Sequence, residues 1–171
     1  SLALPIGFSF IFYGNVYTDF YISDNGFITF SSGGNDGCCN GQNLPNADSP
    51  NNLIAFGWGD LDPEAGGTIR YETIGTAPNR ILIMDFDDVA HIDDPAEGTT
   101  AQVKLFESDN HIEIHTISIS DLGIDLTQGI ENIDGTQAVV VPGRNAAQWS
   151  ITNDFVAFIP AQSIIDGCGV D

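Results

Sequence analysis

The sequence predicts an all-β protein: one antiparallel β-sandwich of jelly-roll-like type, with about ten strands and a long loop over residues 31–52. Three observations predict it. Apolar and polar residues alternate at period two, helical periodicity is nearly absent, and Gly, Asn, Asp and Pro interrupt the apolar runs every eight to twelve residues or so. No fixed-period repeat runs through the chain.

The elements follow in order. Phe8, Phe10 and Phe12 alternate with Ser9 and Ile11, which puts three rings on one face of a first strand. Phe20 and Ile22 lead into Ser23-Asp24-Asn25-Gly26, and Phe27-Ile28-Thr29-Phe30 returns. Asn-Gly between two such runs predicts a hairpin, because both residues tolerate positive φ. The polar segment 31–52 is longer than most loops of compact domains, and loops of that length are often functional. Strands are expected over Leu53–Trp58, Thr68–Ile74 and Arg80–Val89, the last with Leu82, Met84 and Phe86 on one face and Ile81, Ile83, Asp85 and Asp87 on the other. Ala101–Glu107 and His111–Ser118 flank Ser108-Asp109-Asn110 as a second hairpin, and Thr136–Val141, Ala147–Ile151 and Phe155–Ile159 complete the series. Residues 1–160 read as one domain, with 161–171 a tail or a linker to a following module.

Composition narrows the function. Of 171 residues, 24 are Asp or Glu and 4 are Lys or Arg, for a net charge of -20. Four scattered cations (Arg70, Arg80, Lys104 and Arg144) build no phosphate-neutralising patch, so nucleic acid is excluded as a partner and an anionic membrane surface would repel the chain. No apolar run reaches the length of about 18 residues that a membrane helix needs, so no membrane insertion is expected. Cations and neutral hydroxyl-rich ligands are the natural partners; the charge also keeps a protein soluble in salty surroundings. The absence of an initiator Met leads to the expectation of a piece of something longer, and one Lys in 171 residues with many Asn, Thr, Gly and Asp to that of a secreted protein.

Several phrases carry a family resemblance: Leu4-Pro5-Ile6-Gly7-Phe8 running into Phe12-Tyr13-Gly14-Asn15, Ile22-Ser23-Asp24-Asn25-Gly26-Phe27-Ile28, Pro50-Asn51-Asn52-Leu53-Ile54-Ala55-Phe56, Ile112-Glu113-Ile114-His115 and Gln128-Gly129-Ile130-Glu131-Asn132. In this order they resemble the nidogen-like β-sandwich modules of very large secreted or surface-anchored bacterial proteins, from Leu4 to Pro160. The resemblance implies an extracellular or cell-surface location and a role in adhesion or assembly. It brings no catalytic residues with it.

Two acidic clusters are candidate calcium sites. Asp60, Asp62 and Glu64 lie in a Gly- and Pro-containing loop, where alternate carboxylates can converge on a hard cation that takes six to eight oxygens. The competing reading is a solvated acidic turn. Asp85, Asp87 and Asp88, followed by Asp93, Asp94 and Glu97, form the second. Asp85 and Asp87 share one strand face with no Lys or Arg nearby in sequence, so a cation would relieve their repulsion; an unbound surface loop is the alternative. A carboxylate pair for glycosidic hydrolysis carries little weight, because paired acids are nearly unavoidable at this acid content. His111, Glu113 and His115 share a strand face and could seat a transition metal, but the polar face of a half-buried strand is the better account of them.

Cys38 and Cys39 either close a ring with each other, leaving Cys168 for a neighbouring module, or one of them pairs with Cys168 across the sandwich. Tyr13, Tyr17 and Trp58 are candidate stacking rings for a sugar, with Asn40, Gln42 and Asn43 of the long loop as hydrogen-bonding partners. Gly-x-Ser-x-Gly, His-Glu-x-x-His and the phosphate loop are all absent, so no enzyme is expected. The expectation is a calcium-stabilised adhesion or carbohydrate-binding module that meets a cell-surface glycan or a neighbouring protein module. The alternative is a unit of an extracellular fibre or filament that self-assembles by strand or loop exchange.

Overall fold

A computed structural model describes residues 2–33, 37–120 and 123–161. It contains eleven strands and no helix among the described residues, in two antiparallel sheets. The first sheet takes β1 (Leu4–Phe12), β2 (Asn15–Ser23), β3 (Phe27–Thr29), β4 (Leu53–Trp58), β9 (Thr127–Glu131) and β10 (Ala138–Val140), in that order. The second runs β11 (Ile151–Phe158), β8 (Ile112–Ile119), β7 (Gly98–Phe106), β6 (Ile81–Ala90) and β5 (Thr68–Ile74). The expected sandwich is therefore present. Its strand order is that of two four-stranded meanders, β1–β4 and β5–β8, each extended by late strands: β9 adds to β4 and β11 to β8.

Period-two alternation places the core between the sheets. Ile6, Phe8, Phe10 and Phe12 of β1 meet Leu82, Met84 and Phe86 of β6 and Val103 and Leu105 of β7 in one cluster, with Phe56 against Phe86 at 4.3 Å between ring centroids. Both expected hairpins form. Gly26 at φ 78° makes the β2–β3 turn, and a Cβ there would collide with the carbonyl oxygen of Gly57. Asn110 at φ 59° sits in the β7–β8 turn and its Oδ1 accepts the Ile11 N–H at 2.8 Å.

Two expectations about strands change. Residues 147–151 contribute one bridge, Ala147 to Leu126, before β11 begins at Ile151. Thr127–Glu131, which shows no alternation, is instead a strand with every residue buried. Its polar side chains are satisfied inside the protein: Gln128 Nε2 donates to the Phe56 carbonyl at 3.1 Å, and Thr127 Oγ1 donates to the Gln42 carbonyl at 2.7 Å. A strand buried on both faces by such contacts has no reason to alternate.

β3 and β4 are likewise buried throughout, because the long loop covers the outer face of the first sheet. Leu44 packs on Phe27, Leu53, Ala55 and Trp58 to form a second core. Leu44 exchanges hydrogen bonds with Asn145, its N–H donating to Oδ1 at 2.8 Å and its carbonyl accepting from Nδ2 at 2.9 Å. The Gly41 N–H donates to the Asp125 carbonyl at 2.7 Å. The segment 37–52 is thus a cover layer as much as a loop.

Phe10 is fully buried at the centre of the main cluster. Phe10→Ala is expected to cost about 3–5 kcal/mol by leaving a cavity that the flanking rings cannot fill. The expected measurement is a urea midpoint lowered at unchanged m-value, the shift multiplied by m giving that loss; a loss below about 1 kcal/mol would contradict this account of the core.

Candidate functional site

The end of the sandwich formed by the β2–β3 turn, the β4–β5 connection and the β6–β7 connection is stitched together by backbone. The Asn25 carbonyl accepts the Gly59 N–H at 3.1 Å, and Asn25 Oδ1 accepts the Leu61 N–H at 3.2 Å. On the far side, the Asp62 N–H donates to the Ala90 carbonyl at 2.8 Å and the Ile92 N–H donates to the Asp60 carbonyl at 3.2 Å. Leu61 and His91 form a bridge between them. These bonds fix Asp24, Asp60, Asp62 and Asp93, carried by three separate segments, in one electrostatic neighbourhood. The carboxyl of Asp60 is pushed up, chiefly by partial burial and then by the charges of Asp93, Asp24 and Asp62.

The long loop delivers the cysteines to the same place. Trp58 Nε1 donates to the Gly37 carbonyl at 2.6 Å, and the next two residues, Cys38 and Cys39, are bonded to each other. The vicinal ring is therefore formed and the alternative pairing of Cys38 or Cys39 with Cys168 is set aside; Cys168 lies outside the described residues. Both sulfurs and a carboxylate oxygen of Asp60 lie within 4.8 Å of one another, and the two cysteines are exposed. Among the described residues no other set of three His, Cys, Asp or Glu side chains is so closely gathered.

The acidic residues singled out in the sequence have different surroundings. Asp62 Oδ1 accepts the Glu64 N–H at 3.0 Å, closing a local turn, and Glu64 is exposed. Asp94 Oδ1 likewise accepts the Ala96 N–H at 3.3 Å, and Asp93 is exposed beside it. Asp88 stands at φ 52° in a bulge of β6, its N–H donating to Thr100 Oγ1 at 3.0 Å. Asp85 and Asp87 correct the premise that no base lies near them. Arg70, opposite Asp85 on β5, places its guanidinium 3.1 Å from both carboxylates, and Gln102 Nε2 reaches Asp85 at 3.2 Å. The remedy for their repulsion comes from the neighbouring strand, which sequence proximity does not reveal.

The candidate stacking rings are corrected too. A register shift between Ala55 and Trp58 turns Trp58 to the outer face of the sheet, where the cover layer buries it completely. Its ring packs on Phe27 at 4.9 Å and presents no face to a ligand. Tyr17 stacks on Phe30 at 4.7 Å, with its hydroxyl donating to Asn52 Oδ1 at 3.2 Å, and the Tyr13 hydroxyl donates to the Ile130 carbonyl at 3.3 Å. Both tyrosines sit at the β1–β2 end, a nine-residue strand away from Asp60 and the disulfide. Of the loop residues, Asn40 and Asn43 are exposed, while the Gln42 side chain is half-buried and accepts from Asn46 Nδ2 at 3.0 Å. Tyrosine rim and acidic end are separate places.

His111, Glu113 and His115 form a hydrogen-bonded ladder: His115 Nε2 lies 2.7 Å from Glu113 Oε2, and His111 contacts both Asp109 and Glu113. Two buried titratable groups were not singled out in the sequence. His91 is buried at the acidic end with Nε2 3.2 Å from Thr99 Oγ1 and Nδ1 without a partner, and burial pushes its pKa down. Glu131 is fully buried and its Oε1 accepts the Asn46 N–H at 2.6 Å, tying the cover layer to β9. No periodic signal distinguishes either residue.

Burial pushes the Glu131 carboxyl from 4.5 up to about 7. Because the folded value lies above the unfolded one, the folded state binds the proton more tightly. That stabilisation is fully present below about 4.5 and is lost as pH rises through about 7. Glu131→Gln keeps an oxygen acceptor for Asn46 and cannot ionise. Melting profiles from about pH 5 to about pH 8 should therefore fall more steeply for the wild type than for the variant, with the variant higher at the alkaline end. Parallel profiles would overturn the assignment.

Neither the curated proteins nor the solved structures yield a match to this chain. A protein-family model does: the one described as NIDO related matches residues 1–162, which spans both sheets, the cover layer and the acidic end. The chain belongs to this nidogen-related family.

Proposed function

We propose that the chain is a non-catalytic extracellular adhesion or carbohydrate-binding module of a larger surface protein, stabilised by calcium. One observation supports this reading above the others: three separately positioned segments gather Asp24, Asp60, Asp62 and Asp93 at one end of a rigid sandwich. The arginines are engaged elsewhere. Arg70 holds Asp85 and Asp87, Arg80 holds Glu107, and Arg144 holds Asp154. Lys104 stands opposite Glu113 on the second sheet. A concentration of negative charge with no base assigned to it favours a cation, and Ca²⁺ accepts the carboxylate, carbonyl and water oxygens that such loops offer. Calcium in turn can chelate vicinal hydroxyls of a neutral sugar, and the exposed Asn40 and Asn43 of the long loop offer further hydrogen-bonding groups. Membership of the nidogen-related family supports the extracellular setting. No helix among the described residues is long and apolar enough to cross a membrane.

Calcium should raise the melting temperature and a chelator should reverse the rise, by RT ln(1 + [Ca²⁺]/Kd), or about 2.7 kcal/mol at a hundredfold excess over Kd. Glycan-array binding should appear with calcium and vanish with chelator. An unchanged melting temperature removes calcium from the proposal, and no glycan bound under either condition removes carbohydrate.

A second reading, assembly into a fibre by strand exchange, has its own observation. β11 is an edge strand carrying exposed Phe155, with exposed Ile159 just beyond it. A groove of about 680 Å³ beside it is lined by Ile11, Tyr13, Ile112, Val139, Phe158 and Ile159. An edge that is unpaired among the described residues and carries apolar side chains is a template for a strand from a second copy. On this reading the chain should oligomerise with concentration in light scattering, and Phe155→Asp with Ile159→Asp should return it to monomer. A wild type that stays monomeric at every concentration rejects assembly.

A further inference from the structure

We propose that Cys38, Cys39 and Asp60 form a redox-gated site for a thiophilic divalent cation, closed while the sulfurs are bonded to each other and opened when a dithiol reduces them. The placement carries it: two sulfurs and one carboxylate oxygen lie within 4.8 Å of one another, contributed by two segments that are each held independently. Asp60 is fixed through its own backbone, its carbonyl accepting the Ile92 N–H and its neighbour Leu61 bonding to Asn25 Oδ1. The cysteines are fixed through Gly37, whose carbonyl is bound by Trp58 Nε1. A side chain at Gly37 would strike the Phe27 ring, so residue 37 fits closely on the second core. Breaking the sulfur–sulfur bond releases neither anchor, and both thiols stay beside the carboxylate.

The donor set decides the metal. Two thiolates and one carboxylate suit zinc or cadmium, with water completing a tetrahedron, and they are poor partners for calcium, which takes oxygen. The surrounding charge points the same way: Asp24, Asp62 and Asp93 surround Asp60 with negative potential, which favours a cation. The exposure of both cysteines gives a reductant and a metal a path to the sulfurs.

The chemistry balances. A small dithiol loses two electrons and two protons as it closes its own disulfide, and the Cys38–Cys39 bond takes them up to become two thiols. Binding of the divalent ion then displaces both protons to solvent and leaves two thiolates and the Asp60 carboxylate on the metal. The site shares Asp60 with the proposed calcium cluster, so the titration is run without calcium, and failure of the calcium or glycan reading leaves the thiolate band untouched.

Cadmium is the probe, because thiolate-to-cadmium charge transfer gives an ultraviolet band. The full chain carrying Cys168→Ser, which removes the third thiol, is titrated with Cd²⁺ in oxidised form and after dithiol reduction and removal of the reductant. Reduced protein should bind one Cd²⁺ with the band and oxidised protein should show none. Asp60→Asn should keep the band but weaken affinity at least about tenfold, a loss that even supporting residues of metal sites produce. No band after reduction, or unchanged affinity in Asp60→Asn, overturns the proposal. So does a band that persists when both Cys38 and Cys39 are serine. The oxidised and reduced forms of one protein differ only in the bond itself, so the comparison holds even where a variant folds poorly.

Discussion

Burial of the central strands of the first sheet on both faces is the constraint on which the rest of the structure depends. β3, β4 and β9 are covered on one side by the second sheet and on the other by residues 37–52. An antiparallel sheet can leave one face to water, but this one has Phe27, Leu53, Ala55 and Trp58 on its outer face, and those side chains would waste their burial if exposed. The cover layer answers that need with Leu44, and its backbone polar groups find partners in Asp125, Asn145 and Glu131. A loop buried on one side has to satisfy its N–H and C=O groups in this way.

The position of the vicinal disulfide follows from that cover. Gly37 is drawn onto Phe27 and Trp58, so Cys38 and Cys39 emerge at the rim beside Asp60. The titration behaviour follows from it too. Glu131 would be an ordinary solvated carboxylate on a bare sheet; beneath the cover layer it loses water and accepts the Asn46 N–H. Its charge also helps hold the Tyr13 phenol at about 12, with burial the larger cause. One packing requirement thus sets the chemistry at both ends of the sandwich.

Charge is distributed unevenly for a related reason. With so few bases among so many acids, the arginines pair with particular carboxylates: Arg70 across the strand with Asp85 and Asp87, Arg80 with Glu107, and Arg144 with Asp154. Arg80 also lies over the Phe8 ring and Arg144 over Trp149, so both seal the edge of a core as well as cancel a charge. Asp24, Asp60, Asp62 and Asp93, gathered at one end of the sandwich, have no arginine among these pairs.

The alternation of Phe8, Phe10 and Phe12 and of Leu82, Met84 and Phe86, together with Asn25-Gly26, determined the sandwich, its core faces and its first hairpin, because one-sided burial and positive φ leave a direct mark on neighbouring residues. The sequence also marked the β4–β5 loop and the cysteine pair as places of unusual chemistry. Only the tertiary structure decided what surrounds them. Two-sided burial erased the alternation of Thr127–Glu131, and a bulge after Ala55 sent Trp58 to the outer face instead of to a ligand. Arg70 reached Asp85 across a ladder of strands, and Asp60 met Cys38 and Cys39 over a gap of about twenty residues. Local sequence records a residue's own backbone and face; which distant segment comes to lie opposite is fixed by register and packing between elements, and that is where the arginines' carboxylate partners were chosen.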